Sequence, residues 1–311
     1  MRILIYGAGV LGSELAHVLS KTNHEIILLA RGKWRQHIEK NGLVIRHYLQ
    51  RKTTVDHLQT IDHLDKNDVY DLIFVVMQCV SLPEISTDLK ANASRRIIFI
   101  GNNGEALALA QQFENKEVAF GFQGTGGRRE NGQVISIYKS LSLTIGGVTK
   151  ALSDDFQRQI TALFEETAYH LTWENQMDAW LKSHLAFILP ICYLCYSVDG
   201  KLPKATRKQR KLVLDAAYEG YQVLKVLNIP VRPAGEEVYF YKGWKKMIMT
   251  IMLWVMCKTP LGRLAASDHA MHAVREMNKL DEQFTILCQR AAVAMPNWQI
   301  LKEQALQVME K

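Results

Sequence analysis

The chain has 311 residues, 48% hydrophobic and 22% charged, which is bulk enough for two globular domains and excludes disordered, collagen-like and coiled-coil classes. Lys and Arg outnumber Asp and Glu by 38 to 31; the net charge of +7 suits an anionic ligand and falls short of a nucleic-acid-binding signature. Five scattered cysteines (Cys79, Cys192, Cys195, Cys257, Cys288) make no disulfide framework and point to a reducing, cytoplasmic setting.

Up to about residue 150, short β-rich runs alternate with helical stretches, the pattern of a parallel sheet covered by helices. Residues 3–6, 25–30, 72–77, 97–100 and 118–123 read as strands, several continuously apolar as strands buried on both faces are. Residues 141–145 read as a later, antiparallel continuation, residues 153–169 as a helix with Ser153 or Asp154 at its N-cap, and 170–173 as one last strand. Beyond about residue 174 the strand signal ends, and 176–196, 206–227, 238–257 and 269–294 are helical, separated by Gly/Pro-bearing joints. The expected organisation is a Rossmann-like dinucleotide-binding domain over 1–172 followed by an all-α substrate or dimerisation domain over 173–311.

The chain opens without a signal-peptide pattern, since residues 1–6 run straight into a glycine turn. The apolar stretch 247–257, flanked by Trp244, is about half the length needed to cross a bilayer, so no membrane span is expected. It reads as a buried helix or one facing a second subunit, and a homodimer is among the expectations. Cys192 and Cys195 have CxxC spacing but lie in an apolar run with no second ligand pair, so they read as core residues and no metal is expected.

The first strand ends in Gly7-Ala8-Gly9-Val10-Leu11-Gly12, followed by a helical run. Between a strand and a helix these glycines have separate tasks: Gly7 permits a tight turn, Gly9 lets backbone approach a pyrophosphate, and Gly12 allows close helix–strand packing. The free N–H groups of the helix start then face the phosphates. At the tip of the second strand, where NAD enzymes carry Asp or Glu, this chain has Ala30-Arg31-Gly32-Lys33. Two cations in place of a carboxylate favour the 2′-phosphate of NADP(H), with Arg31 and Lys33 as its ligands.

Further along stand Asn103-Gly104 after the fourth expected strand, Gly126-Gly127-Arg128-Arg129 with Gly132, Gly146-Gly147, Trp180-Leu181-Lys182, and Arg275-Glu276-Met277-Asn278. In this order, after the glycine turn and Arg31, they make the chain resemble the ketopantoate reductase (2-dehydropantoate 2-reductase) family over nearly its whole length. The resemblance implies reduction of a ketone by hydride from NADPH, with Lys182 as general acid and oxyanion donor and Glu276 hydrogen-bonding the product hydroxyl or orienting the lysine. It also implies that Asn103 bridges cofactor and substrate and that Gln78 stands where a lysine often helps hold the 2′-phosphate. The sequence departs from the family where asparagines are expected four and eight residues after the lysine, at Ala186 and Pro190, and where a serine is expected, at Leu264. His184 is an alternative polar contact. The reading is therefore an NADPH-dependent reductase of a 2-oxo acid or related ketone more apolar than ketopantoate. A true 2-dehydropantoate 2-reductase of pantothenate biosynthesis, or a non-catalytic NADP(H)-binding sensor or scaffold, are the alternatives.

The charge is unevenly spread. Residues 1–172 carry a net +1 and residues 173–311 a net +6, concentrated in the six basic residues of 201–211. That segment either steers anions or is a solvated helix start; the sequence leaves both open.

Overall fold

The computed structural model describes residues 1–309. Its chain divides into two compact units, one made of Met1–Asn102 and Ala106–Met177, the other of Asn103–Glu105 and the residues from Asp178 on. The division falls at Met177, past the expected 172/173 boundary, because the Met177 N–H donates to the Gly147 carbonyl and ties the connector to the first unit.

In chain order the first unit contains β1 (Arg2–Tyr6), α1 (Val10–Leu19), β2 (Glu25–Leu29), α2 (Gly32–Asn41), β3 (Leu43–His47), β4 (Lys52–Asp56), β5 (Gln59–Ile61), β6 (Leu72–Val76), α3 (Leu82–Ala91), β7 (Arg96–Ile100) and α4 (Ala106–Gln111). It continues with β8 (Glu117–Gln123), β9 (Gly126–Glu130), β10 (Gln133–Ile137), β11 (Ser142–Gly146), α5 (Asp154–Glu165) and β12 (His170–Trp173). Eight strands form one sheet in the order β12-β11-β8-β7-β6-β1-β2-β5. All neighbours are parallel except β8 and β11, which is the antiparallel continuation expected at 141–145. The chain leaves β1 for β2 on one side and later returns to β6 on the other, so the sheet reverses direction at β1 and β6, where such folds bind ligands beyond the strand ends. The central strands are apolar on both faces: Ile3, Ile5, Leu72, Phe74 and Ile98 pack with Leu15, Leu19, Phe156, Ile160 and Leu163 of the covering helices. Ser153 caps α5 as expected, its Oγ accepting from the Phe156 N–H.

A second, four-stranded sheet, β4-β3-β10-β9, was not anticipated. Its strands are short, and β4 and β9 are largely solvent-facing and polar (KTTVD, GGRRE), so no apolar alternation announces them.

The second unit is helical: α6 (Met177–Ser197), α7 (Arg207–Val226), α8 (Val238–Tyr241), α9 (Gly243–Lys258), α10 (Pro260–Gly262), α11 (Asp268–His272), α12 (Val274–Ala291) and α13 (Pro296–Met309), with a π-helical turn at Arg263–Ser267. The helix expected over 238–257 is broken, because Lys242 is extended and Gly243 takes φ +76. The one expected over 269–294 is interrupted at Ala273. Helix α13 was missed; the Glu219 carboxylate of α7 accepts from the Asn297 and Trp298 N–H groups in its first turn. Buried α6 is the one described helix long and apolar enough by composition to cross a membrane. Of the two readings of 247–257, a buried helix or one facing a second subunit, the first is not met: in α9 only Leu253 and Cys257 are buried, while Trp244 (64% exposed), Met247, Ile251, Met252 and Trp254 face outward.

Candidate active site

The first unit presents the glycine turn at the carboxyl end of β1. Gly7 takes φ +121, and a Cβ there would lie 2.4 Å from the Val76 carbonyl of β6. A Cβ on Gly12 would lie 1.9 Å from the Gly7 carbonyl, so helix α1 reaches the strand only with glycine at this position. Around Gly9 a Cβ would meet nothing within 4 Å. Gly9 is the N-cap of α1 and has no side chain to occupy the helix's first N–H groups, so Ala8, Gly9, Val10 and Leu11 line an open cradle for an anion. At the adjoining strand ends, Asn102 after β7 and Gln123 of β8 each bury a side-chain carbonyl oxygen without a hydrogen-bond partner in the described structure. Open backbone donors and orphaned polar atoms at the sheet's switch point fit a dinucleotide.

Arg31 is the exposed N-cap of α2, and Lys33 is exposed in that helix's first turn. The Arg31 guanidinium donates to the Tyr6 hydroxyl at 2.6 Å, which pins it beside the end of β1. Trp34, passed over in the sequence, donates from Nε1 to the Ala8 carbonyl at 2.8 Å and lies under the Arg129 guanidinium, 5.2 Å from its ring. The strand-two tip is thereby fastened to the glycine turn. Gln78 is exposed two residues beyond β6.

The second unit holds the other candidates. Lys182, in the second turn of α6, is 14% exposed at its side chain and ion-pairs with Asp178 one turn earlier. Asp178 escaped notice, although an acid four residues before a lysine is a legible helical pair. Glu276, in the first turn of α12, is 3% exposed; its carboxylate lies 3.6 Å from His269 Nε2. Its charge, added to burial, pushes the Cys192 thiol up to about 12. Lys182 and Glu276 thus stand on different helices, each with its own neighbours. His184 stacks on Trp180 at 5.2 Å, and burial together with His269 lowers its imidazole to about 4, so it is neutral near pH 7.

Asn103 is buried and its Oδ1 accepts from the Glu105 N–H, while the Gly104 N–H donates to Gln283 Oε1 at 2.9 Å. Gln283 in turn donates to Glu105 Oε2, so α12 grips the whole Asn103–Glu105 segment. A Cβ on Gly104 would come within 2.9 Å of Gln283 Oε1. Gln283 carried no sequence signal, because its partner is nearly the length of a domain away in the chain.

The departures also find their places. Ala186 is fully buried against Gly220 of α7, where a Cβ on Gly220 would sit 3.0 Å from Ala186, so an asparagine has no room there. Pro190 is inside α6 and buried, and Leu264 is buried in the π-helical turn. Cys192 and Cys195 are buried free thiols, as expected for core residues.

An open sheet with a glycine turn at its switch point, followed by a helical unit carrying a half-buried lysine, is the build of the ketopantoate reductase fold. Residues 3–150 match the family described as ketopantoate reductase PanE/ApbA. The 2-dehydropantoate 2-reductase of Streptococcus pyogenes is 26% identical over 121 residues, which span 38% of this chain and 36% of that protein. The chain therefore matches about a third of the length of its curated relatives. Solved structures extend the likeness in fold to the whole chain. A PanE/ApbA family ketopantoate reductase from Ralstonia eutropha has a TM-score of 0.77 at 15% identity, covering 100% of this chain and 99% of that one. D-mandelate dehydrogenase with NADH and anilino(oxo)acetate has a TM-score of 0.74 at 17% identity, covering 100% and 98%.

Proposed function

We propose that the chain is an NADPH-dependent reductase that converts a 2-oxo acid or related ketone, more apolar than ketopantoate, into the 2-hydroxy compound. The observation that carries the reading is Lys182: a half-buried ammonium anchored by Asp178 on α6, in a protein whose other unit has an open anion cradle at its switch point.

A dinucleotide held in that cradle by the open N–H groups at the start of α1 would supply the hydride for the carbonyl carbon. Charge then builds on the carbonyl oxygen, where the Lys182 ammonium stabilises it and delivers a proton. Asp178, ion-paired with it one turn earlier, orients the side chain. Glu276 accepts from the new hydroxyl, and Asn103, fixed by its bond to the Glu105 N–H, aligns substrate with cofactor. Arg31 and Lys33 supply the cations for a 2′-phosphate, and Gln78 adds a hydrogen bond in place of a charge. The preference for an apolar substrate rests on α6, where Pro190 offers no side-chain hydrogen bond and His184, neutral near pH 7, stands two residues beyond Lys182. The D-mandelate dehydrogenase that shares this fold supports a 2-hydroxy acid product of that character. The exposed apolar row of α9 supports a homodimer.

NADPH oxidation with a panel of 2-oxo acids, ketopantoate included, tests the reading. The expected result is turnover with at least one apolar member and a loss of about 10²–10⁴-fold in kcat for Lys182→Ala. Tight NADPH binding without turnover on any substrate is the result expected of a sensor and contradicts the reductase.

A further inference from the structure

Behind the dinucleotide turn, on the face of α1 that meets the small sheet, Glu14, His17 and His47 come together. None has a part in the proposed reduction. Glu14 and His17 are three residues apart on one side of α1, and His47 ends β3. All three are buried, Glu14 and His47 fully, and their ligating atoms lie within 4.8 Å of one another.

The hydrogen bonds around the group fix which atoms face inward. His17 Nδ1 lies 2.6 Å from Asp56 Oδ2, and Lys21 donates to the other oxygen of Asp56. A carboxylate only accepts, so in the neutral imidazole of His17 Nδ1 carries the proton and Nε2 the lone pair. His47 Nε2 lies 2.9 Å from the Thr54 hydroxyl, which can accept from it; Nδ1, 3.3 Å from the Tyr138 hydroxyl, is in that tautomer the nitrogen with the lone pair. Each imidazole thus turns a basic nitrogen inward and is held from behind by a polar partner, the arrangement that orients metal-binding histidines.

Glu14 supplies the second, independent observation. Its carboxylate is fully buried, and neither oxygen has a hydrogen-bond partner in the described structure. A buried carboxylate that makes no hydrogen bond is costly, and a cation removes the cost. The nearest facing nitrogen, His47 Nδ1, lies 3.5 Å from Glu14 Oε2. That is close to the edge of about 3.4 Å expected for two ligands on one tetrahedral ion with bonds of about 2.0–2.2 Å. The groups facing the cluster include the phenols of Tyr138 and Tyr169, the Thr54 hydroxyl and the Asp56–Lys21 pair.

We propose that Glu14, His17 and His47 bind a divalent transition-metal ion, of which Zn²⁺ is the best representative, as a structural staple between α1 and the small sheet. Two imidazoles and one carboxylate select a borderline ion such as Zn²⁺ over Mg²⁺ or Ca²⁺, which require mostly oxygen ligands. Full burial makes the site structural. Because α1 begins at the dinucleotide turn, the staple holds that turn to the sheet beside it.

The test is metal analysis of the purified full chain, loaded with Zn²⁺ and desalted. About one equivalent per chain is expected, together with a rise in Tm on adding Zn²⁺ and a fall with a chelator. Glu14→Gln abolishes both effects, and Asp56→Asn weakens Zn²⁺ affinity by about 10–100-fold. Should Glu14→Gln fail to fold, Co²⁺ in the wild-type chain gives the readout: intense visible absorption of a four-coordinate ion supports the site, and the pale spectrum of six-coordinate Co²⁺ contradicts it. Wild-type protein that retains less than about 0.1 equivalent with an unmoved Tm, or a folded Glu14→Gln variant that binds as the wild type does, overturns the proposal. Neither outcome depends on whether the chain reduces a 2-oxo acid.

Discussion

Burial and the nearby His269 hold the His184 imidazole down at about 4, so it stays neutral in the folded chain and takes up a proton on unfolding once the pH falls below about 6.5. Its contribution is therefore present above pH 6.5 and lost as pH falls towards 4, a swing on the order of 3 kcal/mol. Urea midpoints at pH 7.5 and 4.5 are predicted to differ less in His184→Gln than in the wild type; an unchanged difference contradicts the assignment. Arg31 is tested by cofactor affinity. Losing its guanidinium is expected to weaken NADPH binding about 10–100-fold and leave NADH binding unchanged, measured by cofactor fluorescence. A parallel loss for both cofactors places the 2′-phosphate elsewhere. At this scale the sequence identified residues whose identity dictates local geometry, such as Gly7 and Gly12. It concealed Asp178, Gln283 and Trp34, whose work lies in what they hold in place. It also misplaced the consequence of Ala186, which belongs to a helix contact with Gly220.

Strands and helices were legible to the degree that burial wrote an uninterrupted pattern into them. Strand β6 is apolar throughout, β1, β2, β7 and β8 are polar only at their ends, and all five stand where their runs predict them. The small sheet is edge-rich and polar, and its pairing is set by contacts distant in sequence, β3 with β10 above all, which no local pattern reveals. Helix ends followed local chemistry where a cap was present. Thr206 opens α7 with a full capping box, its hydroxyl accepting from the Gln209 N–H and the Gln209 side chain accepting from Thr206. Thr206→Ala is expected to cost about 1 kcal/mol, seen as a Tm lower by about 2 °C. At Gly243, where apolar runs lie on both sides of a short basic stretch, the sequence read one helix and the fold made two.

For the whole molecule, the excess of positive charge belongs to the helical half, and the structure gives parts of it local partners. Lys201 pairs with Asp199, and Lys211 shares Asp215 with Lys246, so the basic run at 201–211 is a largely solvated, partly neutralised helix start. The outward row of α9 makes a second prediction at this scale. Light scattering on the purified chain is expected to give a dimer mass, and Ile251→Glu with Met252→Glu a monomer; a monomeric wild type removes the homodimer. Hydride transfer itself is the central claim, and it is read most directly by isotope. With NADPH deuterated at the transferring C4 position and an accepted 2-oxo acid, mass spectrometry is predicted to find the deuterium at C2 of the hydroxy-acid product, with Lys182→Ala forming little product. A hydroxy acid without deuterium, or none from any 2-oxo acid despite bound NADPH, contradicts the account.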